Sequence, residues 1–208
     1  MSVDRTRESR WTPLLGVLFV VLLVLGLFVV GGQGPEAGAP GNEVVAYYEE
    51  SASRELASSI LAIVAAATLV FFAAHVRRLV AVAEPGHGYL SATLFGGAVI
   101  LATAIGIGEG LHGALAIDPE YLTPSSAETL NTLDKQFFFP TMLGFGVFML
   151  SFGLAIVRLR FLPAWLGWIA IFLSVVAFTP AAYFAFLLIF VWIVVASILL
   201  YARSSSSA

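Results

Sequence analysis

Apolar runs too long for a water-soluble domain dominate this chain. A helix crosses the hydrocarbon core of a bilayer with roughly 20 mostly apolar residues, and segments 11–30, 54–78, 89–116 and 136–158 each meet that requirement. A last apolar block, from Pro163 to Tyr201, is too long for one crossing. Thr179 and Pro180 interrupt it near its middle, where proline removes a helical hydrogen bond and clashes with the preceding turn. The block therefore divides into helices 163–178 and 181–202, joined by a tight hairpin. The expectation is an all-α fold, a polytopic transmembrane bundle of six helices in a single domain, 1–208, with short loops. Hydrophobic residues make up 60% of the chain and charged residues 11%, whereas soluble domains carry roughly 25% charged residues.

Charge gives that bundle a direction, because Arg and Lys prefer cytoplasmic loops. Six spans put Arg5, Arg7, Arg10, Arg77, Arg78, Arg158, Arg160 and Arg203 on one side and leave only Arg54 and Lys135 on the other. The acidic residues Glu36, Glu43, Glu49, Glu50, Glu55, Asp118, Glu120, Glu128 and Asp134 do the opposite. Both termini are therefore expected in the cytoplasm, with outer loops at 31–53 and 117–135. Nine arginines against a single lysine, with heavy Ala, Gly and Val usage, point to a high-GC bacterial genome and hence a bacterial plasma membrane. Ala37-Gly38-Ala39 after the first apolar run resembles a signal-peptide cleavage site. That run, Leu14 to Val30, exceeds the usual length of roughly 7 to 15 residues, and Pro40 would follow the cut, so the segment is read as helix one.

Several chemistries are excluded. Without cysteine there are no disulfides, thiolate metal sites or Cys nucleophiles. No stretch is basic or extended enough to bind nucleic acid. There is no G-x-S-x-G elbow, phosphate-binding glycine loop or H-E-x-x-H helix, and Lys135, near an outer helix start, is too shallow for a deep Schiff base. An enzyme is the least favoured class, and no cofactor or metal is expected.

The stretch GIGEGLHGAL, 106–115, sets Glu109 and His112 in helix three. Ala98, Ala102, Gly106, Gly110 and Ala114 recur every four residues beside them, a spacing that lets membrane helices approach closely. A charge exposed to hydrocarbon costs roughly 2.5 to 3.5 kcal/mol or more, so the pair is expected to face a neighbouring helix. Glu109 lies about 30 Å along the helix from Tyr89 at 1.5 Å per residue, which puts it at the outer end. Arg54, Asp134, Lys135 and Gln136 should stand at similar height. Together with Glu109 and His112 they form a candidate ligand-binding cluster at the mouth of the bundle; the alternative is that these groups only satisfy one another and fix helix packing.

Other pairings fail on geometry. Glu109-x-x-His112 and Glu84-x-x-His87 share the spacing of di-iron carboxylate bundles, but the second copy contains Pro85-Gly86 in a loop at the opposite end. His75 and His112 likewise sit near opposite ends of adjacent helices and cannot share one haem. Glu49-Glu50-Ser51-Ala52-Ser53-Arg54 and Phe71-x-x-x-His75 resemble motifs of the intramembrane prenyl-protein proteases. Here Glu50 and His75 fall about 40 Å apart on one helix, and the final histidine motif of that family is absent.

In the outer loops, Asn42 is expected to cap a short surface helix carrying Val44, Val45 and Tyr48, with the tyrosines at headgroup level. Ser125-x-x-Glu128 has the form of a capping box opening a helix that continues into helix four with a kink at Pro140. Phe148, Phe152 and Trp192 are expected to face lipid.

Glu43-Val44-Val45-Ala46-Tyr47-Tyr48, Leu133-Asp134-Lys135-Gln136-Phe137-Phe138-Phe139-Pro140 and Leu162-Pro163-Ala164-Trp165-Leu166-Gly167-Trp168 resemble a family of small polytopic membrane proteins common in high-GC Gram-positive bacteria, a domain of unknown function. The resemblance implies a six-helix fold and no activity. An accessory or interaction protein of the plasma membrane is the expected role, with the bilayer, other membrane proteins or a second copy as partners. The alternative is a protein that binds or passes a small solute or ion at the cluster around Glu109 and His112.

Overall fold

The computed structural model describes residues 11–86 and 88–206, so Arg5, Arg7, Arg10 and His87 lie outside the described residues. Every regular element among them is helical. Helix α1 is Leu15–Val24, preceded by a 3₁₀ turn, Thr12–Leu14, and continued by a π-helical segment, Leu25–Val30. It is followed by α2 (Gly41–Ala83), α3 (Tyr89–Ile117), α4 (Pro124–Gln136), α5 (Phe138–Leu159), α6 (Ala164–Val176) and α7 (Ala182–Ser206). Five helical stretches are long and apolar enough to cross a membrane: Thr12–Val30, Gly41–Ala83, Tyr89–Ile117, Pro124–Leu159 and Ala182–Ser204. The sixth apolar helix, Ala164–Val176, is shorter.

The helices form a ring in chain order. Among the apolar helices, α1 packs on α2, α2 on α3, α3 on α5, α5 on α6 and α6 on α7, and α7 closes back on α1. Polar α4 rests on the ends of α2 and α3. A ring of six helices leaves an interior too wide for small side chains, and aromatic rings fill it. Phe145 of α5 meets Phe186 and Phe190 of α7 at centroid separations of 5.9 and 6.2 Å, and Phe152 meets Trp192 at 5.1 Å. Phe148, Phe152 and Trp192 are thus core residues rather than lipid-facing ones. The Trp192 indole N–H donates to the Leu166 carbonyl at 2.8 Å.

Adjacent helices approach through glycines, but not through the stripe expected on α3. A Cβ on Gly97 would lie 2.5 Å from the backbone nitrogen of Phe148, and one on Gly144 would lie 2.5 Å from Cα of Leu101. Gly153 and Gly167 make the same reciprocal contact between α5 and α6, a Cβ on either falling within 2.8 Å of the other's carbonyl oxygen. Of the stripe, Ala98 is buried and Ala102 half-buried. Positions Gly106 and Gly110 have open space where a Cβ would stand, and Ala114 is exposed. Within the chain the stripe is therefore not a contact surface beyond Ala102; the close approach runs one residue away, through Gly97.

The largest departure from expectation is α2. No separate surface helix precedes a span at 54–78; one helix of 43 residues runs from Gly41 to Ala83. Asn42 does not cap it, since the N-cap position is Pro40 with no side-chain bond. A second small core explains the continuity. Val44 and Tyr48 pack with Leu115, Ala116 and Ala127, so the first turns of α2 have apolar partners beyond the long apolar run. Tyr48 is wholly buried there instead of standing at headgroup level. The Gly41 backbone meets that of Pro124 so closely that a Cβ would fall 1.7 Å from its carbonyl oxygen.

The helix expected within the second outer loop is present over Pro124–Gln136, but Thr123, not Ser125, is its N-cap. Its hydroxyl accepts from Ser126 N at 3.3 Å, with Pro124 in the first turn. The junction of α4 and α5 breaks at Phe137, three residues before Pro140. Proline has no N–H to give the Gln136 carbonyl, and its ring crowds that carbonyl, so the interruption appears one turn upstream. The hairpin after α6 turns through Thr179, whose carbonyl accepts from Ala182 N at 3.0 Å.

Arginines collect at the end opposite α4. The Arg158 guanidinium donates to the Tyr89 hydroxyl, that of Arg203 to the Phe161 carbonyl, and that of Arg77 lies 5.2 Å from the Phe95 ring centroid. At the same end, the Glu84 carboxylate accepts from Leu90 N at 2.9 Å and Ser91 N at 3.1 Å. It caps α3, which is why an acidic residue stands in that loop.

Candidate functional site: a polar cluster and an adjoining cleft

The polar end of the bundle is organised around Glu55, a residue that counting charges by loop had grouped with the ordinary outer acids. Val44, Tyr48, Ser51, Glu55, Ser58 and Ala62 are all buried and alternate spacings of four and three, one face of a helix in contact with a neighbour. Glu55 falls on that face and is 1% exposed. Burying a carboxylate requires hydrogen-bond partners, and it has them on both oxygens. Oε1 accepts from the Tyr47 hydroxyl at 2.6 Å, Gly32 N at 3.0 Å and Arg54 Nη2 at 3.0 Å, while Oε2 is 3.1 Å from His112 Nε2.

His112 carries the cluster across to the third and fourth helices. Its Nδ1 lies 3.3 Å from both Asp134 Oδ2 and the Tyr48 hydroxyl. A carboxylate can only accept, so both carboxylate contacts are hydrogen bonds when the ring carries both protons. Lys135 Nζ is 3.9 Å from the same Asp134 oxygen. The structure thus brings Arg54, His112, Asp134 and Lys135 together through Glu55. Gln136 is exposed, and its side chain forms no hydrogen bond with the other described residues.

Glu109 belongs to a different environment. Among the described residues no ion pair reaches its carboxylate, and the one donor that faces it is the buried Ser59 hydroxyl, which has no other partner. Glu109 instead lines a part-open cleft of about 230 Å³ with Asp134 and Lys135 at its polar end. The cleft continues inward past Phe138 to Leu23, Ala104 and Phe186, so five helices supply its walls. Leu27, in the π-helical segment, lines it as well. That segment is tied to α2, because the Gly26 carbonyl accepts from both Gly31 N at 2.7 Å and the Ser58 hydroxyl at 2.9 Å. π-Helical turns recur at functional sites.

Among the described residues, no group of three or more His, Asp or Glu side chains is arranged to hold a metal ion. The cluster joins helices through satisfied bonds, and the cleft presents a carboxylate with free lone pairs beside apolar walls. Comparison with family models, curated proteins and solved structures found no match.

Proposed function

We propose that this is a six-crossing protein of the bacterial plasma membrane, with both termini cytoplasmic, that binds a small solute in the outer cleft beside Glu109. The orientation follows from the arginines at one end, since basic residues favour the cytoplasmic side. Crossing by the short α6 follows from its neighbours, because it packs along both α5 and α7. The single observation that carries the binding reading is the cleft. It joins ionisable groups at its polar end to Leu23, Ala104 and Phe186, the combination of apolar walls and a few placed polar groups common to ligand sites. Ionisable groups at membrane depth are functional candidates by default. A role as accessory protein, the other reading of the sequence, draws on no such feature.

The native chain contains no cysteine, so single cysteines report cleanly. A small membrane-impermeant thiol reagent added outside intact cells should modify Ala104→Cys and Glu36→Cys, but Arg160→Cys only after permeabilisation. Labelling at 36 without any reaction at 104 in the folded protein would remove the binding reading; labelling at 160 from outside would reverse the orientation.

A further inference from the structure

Resting on that binding reading, we infer that the cleft takes a primary ammonium ion carrying a short apolar group. The polar atoms that face it are unequal. Asp134 is already engaged by His112 and Lys135, and the Thr141 hydroxyl donates to the Phe137 carbonyl at 2.8 Å, leaving only acceptor lone pairs. Lys135, the one cation on the lining, has its own carboxylate neighbour. The group left over is the Glu109 carboxylate, part-buried, with the single Ser59 hydroxyl facing it and no charged partner. A ligand that completes this site supplies N–H donors and one positive charge.

The rest of the lining selects what the ammonium is attached to. Phe137, Phe138 and Phe186 stand around the cleft, and aromatic faces attract cations as well as apolar groups. Deeper in, Leu23, Ala104 and Ile105 offer no polar side chain. At interior packing density, about 230 Å³ holds roughly ten non-hydrogen atoms. A bare divalent cation fits poorly, since hard cations take six or more oxygen ligands. The carboxylate at one end and the apolar floor at the other describe a small hydrophobic amine.

The test uses the full chain in lipid nanodiscs, with empty nanodiscs setting the membrane background. Radiolabelled phenethylammonium is compared by equilibrium dialysis with its near-isosteres 2-phenylethanol and 3-phenylpropanoate. The ammonium should bind at least ten-fold more tightly than either. Glu109→Gln should erase that preference, and Ala104→Leu should weaken ammonium binding with Glu109 intact. Equal binding of the alcohol, or tighter binding of the carboxylate, overturns the ammonium assignment and leaves a binding cleft of other chemistry. No binding of any probe, while the Ala104→Cys variant still reacts with the thiol reagent, also overturns it. Only failure of the Ala104→Cys variant to react removes the underlying reading, so the two failures are distinguishable.

Discussion

His112 of α3 and Glu55 of α2 meet at 3.1 Å, Nε2 to Oε2, and this contact separates the structural half of the polar end from its open half. On one side of it, Glu55 is saturated with donors from Tyr47, Arg54 and the Gly32 backbone. On the other, one helical turn from His112, Glu109 faces only the Ser59 hydroxyl. Two glutamates at comparable height therefore do different work.

Replacing them should show it. Glu55→Gln leaves the partners of a buried charge uncompensated and should lower stability by roughly 3 to 5 kcal/mol. Glu109→Gln keeps an oxygen that can accept from the Ser59 hydroxyl and should change stability by less than about 1 kcal/mol. Equilibrium unfolding in mixed micelles measures both, and equal losses would contradict the division.

The glycines make a second contrast. Gly97→Ala and Gly144→Ala force a methyl into backbone of the facing helix and should each cost roughly 1 to 3 kcal/mol. Gly106→Ala and Gly110→Ala meet open space and should be neutral or stabilising by up to about 1 kcal/mol through helix propensity. The same unfolding measurement, run on all four variants, would count against the helix packing described if the 106 and 110 variants were the damaging pair.

Trp192→Phe keeps most of the ring but removes the indole donor, leaving the Leu166 carbonyl with only its helical hydrogen bond. The expected loss is about 0.5 to 1.5 kcal/mol, with the fold retained by circular dichroism. A lipid-facing indole would give no loss.

How much of this was legible in the sequence depended on whether the signal was local. Helices over 89–117 and 138–159 follow from apolar length, and the turn at Thr179-Pro180 follows from proline chemistry. The first turns of α2 were hidden because 41–53 is polar on average; its apolar partners, Leu115 and Ala127, are far away in sequence. Glu55 was hidden by counting it as a loop charge, although the spacing Tyr48, Ser51, Glu55, Ser58, Ala62 placed it on a buried face. The glycine contacts at 97 and 144 each need knowledge of the facing helix, and the four-residue stripe pointed to the neighbouring, emptier face. Phe148 and Phe152 looked lipid-facing because nothing local says that the ring's interior is wide.

The most direct measurement is a density map of the full chain in lipid nanodiscs, at a resolution that shows side chains, read at the volume bounded by Glu109, Ala104 and Phe186. The account predicts water or small-molecule density beside a Glu109 carboxylate whose one protein partner is the Ser59 hydroxyl, with His112 in hydrogen-bond contact with Glu55. A volume closed by side chains or filled by a lipid tail, with Glu109 bound to Lys135, would contradict it.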